Sequence, residues 1–235
     1  MLILAIDTSL EAAGVCLFDS ASLTELAIEH RRLPRGHDEI LLSLAQKVMS
    51  VREKGFAELD RIAVTVGPGS FTGLRIGVAA ARAFGLVTGA SVVGVSTLAA
   101  FAAPSLASGR EGAVVSAVDA RHGRVFAQVF AADGRVLVPA RLMSVADALR
   151  QAGTGSLRLV GSGAPLLAIE AWRQGRQADP EGDLTSPPLD YVARLGALAD
   201  PATAPPRPLY LKPAEVTPSA PLASGRRTEL HPAAS

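Results

Sequence analysis

The sequence predicts an α/β protein built from two similar lobes, and three observations lead to that reading. Of 235 residues, 49% are apolar and 19% charged, enough apolar material for a large core in a chain of this length. A pattern of strand, aspartate, turn, strand, turn, strand occurs twice, first from Leu2 through Asp7 and again from Val114 through Asp119. After each occurrence the periodicity alternates between helix and strand, which gives each lobe a mixed sheet and suggests a duplicated architecture.

The elements follow in order. Residues 2–8 and 13–19 read as strands joined by the polar turn Ser9-Leu10-Glu11, and 23–30 as a third strand. A helix is expected at 37–53, a strand at 61–66, a helix at 72–88, a β-branched strand at 92–95 and a short helix at 96–103. The small, glycine-bearing stretch 104–112 separates an N-terminal lobe, 1–105, from a C-terminal lobe, 106–212. In the second lobe strands are expected at 114–119, 124–131, 136–138 and 157–161, and helices at 145–152 and 164–170. Residues 179–183 read as a loop and 191–198 as a last helix, placed to pack back on the first lobe. Residues 213–235 are rich in Pro, Ala, Ser and Arg and are expected to form a flexible tail.

Composition removes several functions. A net charge of +1 leaves no electrostatic footprint for direct nucleic-acid binding. Cys16 is the only cysteine, so no internal disulfide forms; its apolar surroundings mark it as a buried filler, in keeping with a cytoplasmic chain. Residues 1–6 are apolar but lack a basic leader and run straight into Asp7, as a strand does and a signal peptide does not. The longest apolar helix, 74–87, is interrupted by Arg75 and Arg82, so no membrane span is expected.

The densest local signal is Val66-Gly67-Pro68-Gly69-Ser70-Phe71-Thr72-Gly73-Leu74-Arg75-Ile76-Gly77, a strand, glycine-rich turn and helix in sequence. Pro68 restricts one backbone angle, the glycines permit close approach, and Ser70 or Thr72 can cap the helix. Such a turn can hold an anion, or it can be a tight turn with no ligand, and both readings stay open. Asp7, with Thr8 and Ser9, and Asp119 occupy equivalent turns, where acids of two-lobed ATPases face a shared nucleotide cleft. Against this, the turn after Asp7 reaches glycine only at Gly14, and the turn after Asp119 offers only Gly123. Turn-stabilising acids around a vestigial cleft are the alternative. Gly161-Ser162-Gly163 is a weak candidate for approach to an adenosine. Ser70 lacks the G-x-S-x-G context of a nucleophile, and His37, beside Asp38 and Glu39, reads as a surface or cap residue.

Two helices carry more apolar surface than one lobe needs. In 37–50, Ile40, Leu41, Leu42, Leu44, Ala45, Val48 and Met49 cover more than half the circumference. In 74–87 only Arg75 and Arg82 are charged, and Gly77, Ala80, Ala81 and Gly85 make a small-residue face. Either both helices are sandwiched within one domain, or a partner covers them. The partner reading assigns the contact to Ile40, Leu41, Leu44, Val48, Leu74, Gly77, Val78, Ala81 and Phe84.

The glycine-rich run resembles the signature of the TsaB (YeaZ) family. Leu2-Ile3-Leu4-Ala5-Ile6-Asp7-Thr8-Ser9 is similar to the family's opening, Gly36-His37-Asp38-Glu39-Ile40-Leu41-Leu42 to its first helix, Val118-Asp119-Ala120-Arg121-His122-Gly123-Arg124-Val125-Phe126 to the start of its second lobe, and Pro208-Leu209-Tyr210-Leu211-Lys212 to its end. The resemblance implies the actin-like ATPase (ASKHA, RNase H-like) fold. It also implies a scaffolding or activating subunit of the machinery that installs N6-threonylcarbamoyladenosine (t6A) at position 37 of tRNA. Family members pair with the catalytic subunit TsaD, or with themselves, through the two apolar helices, and the ATPase TsaE joins them. tRNA is then reached only through the complex. No cofactor is held stably, and ATP with Mg is expected only in the assembly. TsaD carries H-x-x-x-H after the strand corresponding to 92–95, where this chain reads Ser96-Thr97-Leu98-Ala99-Ala100-Phe101. Its histidines, His30, His37, His122 and His231, have no spaced partner, so no metal site and no catalytic residue are expected. The rivals are a stand-alone ATPase or small-molecule kinase of the same fold, which would need phosphate loops, and a peptidase, which would need the missing ligands.

Overall fold

The computed structural model describes residues 1–32 and 36–211, without the side chains of His37 and Asp38; the expectations for His37 and for the tail at 213–235 therefore lie outside the described residues. The first sheet contains β1 (Leu2–Asp7), β2 (Ala12–Asp19), β3 (Thr24–Arg32), β4 (Arg61–Gly67) and β5 (Ser91–Ser96), in the order β3-β2-β1-β4-β5. β2 pairs antiparallel with both β1 and β3, while β4 runs parallel to β1 and β5 parallel to β4. β1 is central, and Ile3 through Ile6 are fully buried, so this strand reads as a continuous apolar run. Alternation assigns its side chains to two faces. Leu4 and Ile6 join the cluster under α1 (His37–Met49) and α2 (Phe71–Thr88), whereas Ile3 and Ala5 join the one under α6 (Leu189–Leu198).

The second sheet repeats the plan. β6 (Ala113–Asp119), β7 (Arg124–Phe130), β8 (Val136–Ser144), β9 (Leu157–Val160) and β10 (Pro180–Glu181) lie in the order β10-β9-β6-β7-β8. α4 (Val145–Gln151) and α5 (Ala164–Arg173) cover one face, and α3 (Thr97–Ala107) lies against the other. Counted from its own first strand, each sheet runs 3-2-1-4-5, with three antiparallel strands followed by parallel additions. This duplication of an RNase H-like sheet is the two-lobed actin-like ATPase fold.

Five elements differ from the sequence expectation, the first being the loop expected at 179–183, which carries β10 paired parallel to β9. α1 stops at Met49, and the chain turns through exposed Val51 to Lys54 into a 3-10 turn, Gly55–Glu58. α3 continues through Pro104 to Ala107. It is wedged between the lobes, with Ala100 against the first sheet and Leu98, Phe101 and Ala102 against the second, and burial on two sides outweighs the helix cost of proline. β8 runs on to Ser144 through Pro139, which an edge strand tolerates. α2, finally, is long and apolar enough by length and composition alone to cross a membrane, with mean hydropathy 1.2, despite its two arginines. Its apolar inner face, Gly73, Leu74, Gly77, Val78, Ala81 and Gly85, is packed within the first lobe.

The chain passes between the lobes twice, from α3 into β6 and from β10 into α6. Buried Arg158 ties the first of these crossings to the second lobe: it donates to the Ser105 carbonyl and, over 3.2 Å, to the Gly112 carbonyl. Glu181 accepts from Ser105 Oγ at 3.0 Å and from Arg110 at 2.8 Å. On the first-lobe side, Ser186 and the His30 ring are hydrogen-bonded at 3.0 Å.

Candidate functional site

The glycine-rich turn is pressed onto the turn that follows β1. Ser70 N donates to the Ser9 carbonyl at 2.7 Å, and Thr8 Oγ1 donates to the Gly73 carbonyl at 2.7 Å. A Cβ at Gly69 would collide with the Ser9 carbonyl, one at Gly73 with the Thr8 carbonyl, and one at Gly77 with the Thr8 hydroxyl. The glycines are thus required by contact between two backbones. Ser70 caps α2, accepting from Gly73 N through its hydroxyl at 3.3 Å. Two amides that an anion cradle would need are therefore already bonded inside the lobe.

Asp7, Thr8 and Ser9, expected at a nucleotide site, are buried within this junction. Asp7 Oδ1 accepts from Ser9 N at 3.1 Å, from Ser9 Oγ at 2.6 Å and from Thr65 Oγ1 at 2.6 Å. Its Oδ2 has no partner, and burial raises the carboxyl above its ordinary pKa, against the opposing hydrogen bonds from Ser9 and Thr65. Asp119 is different: it lines an interlobe cleft of about 570 Å³, together with Leu10, Glu11, Ser70, Arg121, Phe126, Ser162 and Thr185. Asp119 Oδ1 accepts from Arg121 N at 2.7 Å. Arg121 reaches across the cleft mouth to Glu11 at 3.5 Å, with both side chains largely exposed. Arg121 and His122 hold positive φ angles of 66° and 54° in the β6–β7 turn. Nothing in the sequence signalled this bridge, because it joins residues of opposite lobes. The second glycine turn is also occupied: a Cβ at Gly161 would collide with the Ala117 carbonyl, which accepts from Gly163 N at 2.9 Å. Among the described residues, the Ser70, Gly73 and Gly163 amides at the two glycine turns are thus already bonded within their own lobes. Thr97 and Phe101 are buried, and among the described residues no three His, Cys, Asp or Glu side chains gather as metal ligands. Burial pushes the Cys16 thiol up to about 12.

The two apolar helices divide differently from the sequence expectation. Leu41, Leu44, Val48, Leu74, Gly77, Val78 and Ala81 point into the first lobe's own core, so these seven residues are not available to a partner. The small-residue stripe of α2 faces inward because β1 and its turn approach it there. Ile40 and Phe84 are half-buried, and Phe84 stacks on Phe56 with ring centroids 5.3 Å apart. The outward face of α2 is instead Phe71, Arg75, Ala79, Arg82, Ala83, Leu86 and Val87, with Leu86 88% and Val87 86% exposed. At the start of this face the Arg75 guanidinium lies 3.8 Å over the Phe71 ring and its Nε donates to Tyr210 Oη at 3.0 Å. Tyr210 packs on Phe71 at 5.2 Å, and Leu209 N donates to the Val66 carbonyl at 2.7 Å, clasping the segment after α6 to the glycine turn.

Comparison with known proteins agrees with this architecture. Residues 31–170 match the family model described as TsaD, tRNA N6-adenosine threonylcarbamoyltransferase. The tRNA threonylcarbamoyladenosine biosynthesis protein TsaB of Escherichia coli K12 is 35% identical over 127 residues, 54% of this chain and 53% of that protein. The TsaB protein of Haemophilus influenzae is 32% identical over 127 residues, 53% of this chain and 51% of its own. The chain thus spans about half the length of the curated relatives it matches. Among solved structures, YeaZ from Pseudomonas aeruginosa superposes with a TM-score of 0.68 at 21% identity, covering 89% of this chain and 99% of that one. A second P. aeruginosa structure, described as similar to peptidase YeaZ, gives 0.70 at 21% identity over 90% and 99%. The match over residues 31–170 places the chain in the family that the TsaD model describes, and its motifs and duplicated 3-2-1-4-5 sheets are similar to those of the TsaB (YeaZ) proteins.

Proposed function

We propose that this chain serves in biosynthesis of tRNA threonylcarbamoyladenosine as a docking subunit without an active site of its own, pairing through the outer face of α2 with a TsaD-type catalytic subunit. A TsaE-type ATPase joins the assembly, and tRNA is engaged only there. One observation carries the reading: an 18-residue helix is fixed by its glycine face to the lobe, while Ala79, Ala83, Leu86 and Val87 on its other face are uncovered. The cleft supports it from the opposite side, since the amides of Ser70 and Gly163 that would meet phosphates are bonded to Ser9 and Ala117.

Substitution at Ala81 is a poor test, because a buried arginine there would unfold the lobe. The informative position is Ala83, which is exposed. Ala83→Trp leaves the core untouched and puts a large ring where another helix must approach. The measurement is co-purification with the TsaD-type protein of the same source, together with modified tRNA in cells that depend on this chain. A folded variant that loses both is the expected result. A folded Ala83→Trp with full partner binding and full modification would overturn the docking face.

A further inference from the structure

The interlobe cleft carries a pattern of donors and acceptors that the docking role leaves unused. The charged residues lining it are Glu11 from the first lobe and Asp119 and Arg121 from the second, a net of one negative charge. Asp119 engages only one oxygen: Oδ1 accepts from Arg121 N, and Oδ2 makes no hydrogen bond among the described residues. Two serines at the cleft add donors. Ser70 Oγ accepts from Gly73 N and Ser162 Oγ from Asp119 N, and neither hydroxyl gives its own proton to an acceptor among the described residues. Leu10, Val118, Phe126 and Leu184 supply an apolar wall. Arg121 is held at this place against its backbone preference. Its φ of 66° lies in the left-handed region, in a turn where glycine would be unstrained. The bridge it makes to Glu11 does not account for that strain. The two groups are 3.5 Å apart and largely exposed, so the pair adds little stability and parts easily.

We propose that the cleft binds a small zwitterion, a free α-amino acid with an apolar side chain, and that Arg121, Asp119 and Glu11 read its two charges. The ligand carboxylate pairs with the Arg121 guanidinium, with the Ser70 and Ser162 hydroxyls as further donors. Its ammonium goes to Asp119 Oδ2 and to Glu11, and its side chain lies on the apolar wall. Entering between Glu11 and Arg121, a zwitterion replaces one exposed ion pair by two and brings no net charge into the cleft. A nucleotide meets the opposite situation. Its phosphates carry two or more negative charges toward Asp119 and Glu11, and the Ser70 and Gly163 amides are already bonded to Ser9 and Ala117. The cleft, about 570 Å³, has room for a large side chain, so affinity should rise from alanine to leucine and phenylalanine as more apolar surface is buried. This binding is independent of the docking role proposed above, since none of its residues belongs to the outer face of α2.

The test is titration of the full chain with L-leucine and L-phenylalanine, read by calorimetry and by the rise in melting temperature at millimolar ligand. Leucinamide, which lacks the carboxylate, and N-acetyl-leucine, which lacks the ammonium, should each bind at least about tenfold more weakly than leucine. Arg121→Gly separates binding from folding. It removes the guanidinium and relieves the left-handed strain, so the variant should melt no lower than wild type while its affinity for leucine falls at least about tenfold. Asp119→Asn keeps an oxygen for Arg121 N but loses the carboxylate charge, and should weaken binding of leucine while leaving the weak binding of N-acetyl-leucine unchanged. Three results each overturn the proposal: no binding of either amino acid to the wild-type chain, full binding by Arg121→Gly, or tighter binding of MgADP than of both amino acids.

Discussion

Replacing Gly73 by alanine sets two effects against each other. Gly73 lies in the first turn of α2, where alanine is favoured over glycine by up to about 1 kcal/mol from helix propensity alone. The new Cβ, however, would collide with the Thr8 carbonyl, a backbone atom that cannot rotate away. Relieving the clash separates the helix from the β1 turn, which costs roughly 1–3 kcal/mol as overpacking. Separation also strains the buried 2.7 Å bond from Thr8 Oγ1 to the Gly73 carbonyl, worth about 1 kcal/mol more. The net expectation is destabilisation of about 1–3 kcal/mol, seen as a fall of roughly 2–12 °C in the melting temperature of a chain this size. Thermal and urea unfolding of Gly73→Ala measure it, with Ala79→Gly on the exposed face as control. The control should lose stability through propensity alone. A Gly73→Ala chain as stable as wild type, or more so, would refute the claim that backbone contact dictates this glycine.

Three further outcomes follow from the same geometry. Because burial raises the Asp7 carboxyl in the folded state, the folded chain keeps that proton over a window that opens near the ordinary carboxylate pKa of about 4, and within it stability falls as pH rises. Wild type should therefore lose stability relative to Asp7→Asn between pH 4 and 8 in urea unfolding, and a pH-independent difference contradicts the assignment. Truncation after Leu211 should leave the melting temperature nearly unchanged, since 213–235 offer little apolar periodicity, whereas truncation after Arg207 removes the Leu209 and Tyr210 contacts and should cost about 1–3 kcal/mol. With Thr97 and Phe101 where a histidine pair would stand, chain purified without chelator should carry no stoichiometric zinc or iron, and one tightly held ion per molecule in elemental analysis sinks that expectation.

The two lobes were legible because their strands are central and their residues repeat one pattern; Asp7 and Asp119 do end equivalent strands, β1 and β6. What the sequence could not specify was direction. Ala81 and Ala79 are both small, and only the position of β1 decides that Ala81 faces the core and Ala79 does not. Helical periodicity marks the faces of α1 and α2 without saying which one meets the sheet, so seven of the nine expected contact residues lie in the lobe's own core, while Ile40 and Phe84 are half-buried. The Glu11–Arg121 bridge and the Arg75–Tyr210 clasp were invisible for another reason. They join residues 110 and 135 positions apart, and no local spacing encodes them.

The inward use of the glycine turn bears directly on where function can lie. An anion at the start of α2 would compete with the Ser9 carbonyl for Ser70 N and with Ser70 Oγ for Gly73 N. Displacing both would open the contact that seats α2 on β1, so phosphate binding there and a rigidly held α2 exclude one another. Gly73 and Gly77, four residues apart on one face of α2, lie against the β1 turn, and Gly69 in the turn before the helix meets the same segment. A lobe built this way holds α2 firmly against the β1 turn and leaves its outer face exposed. Such a helix suits the docking role proposed above.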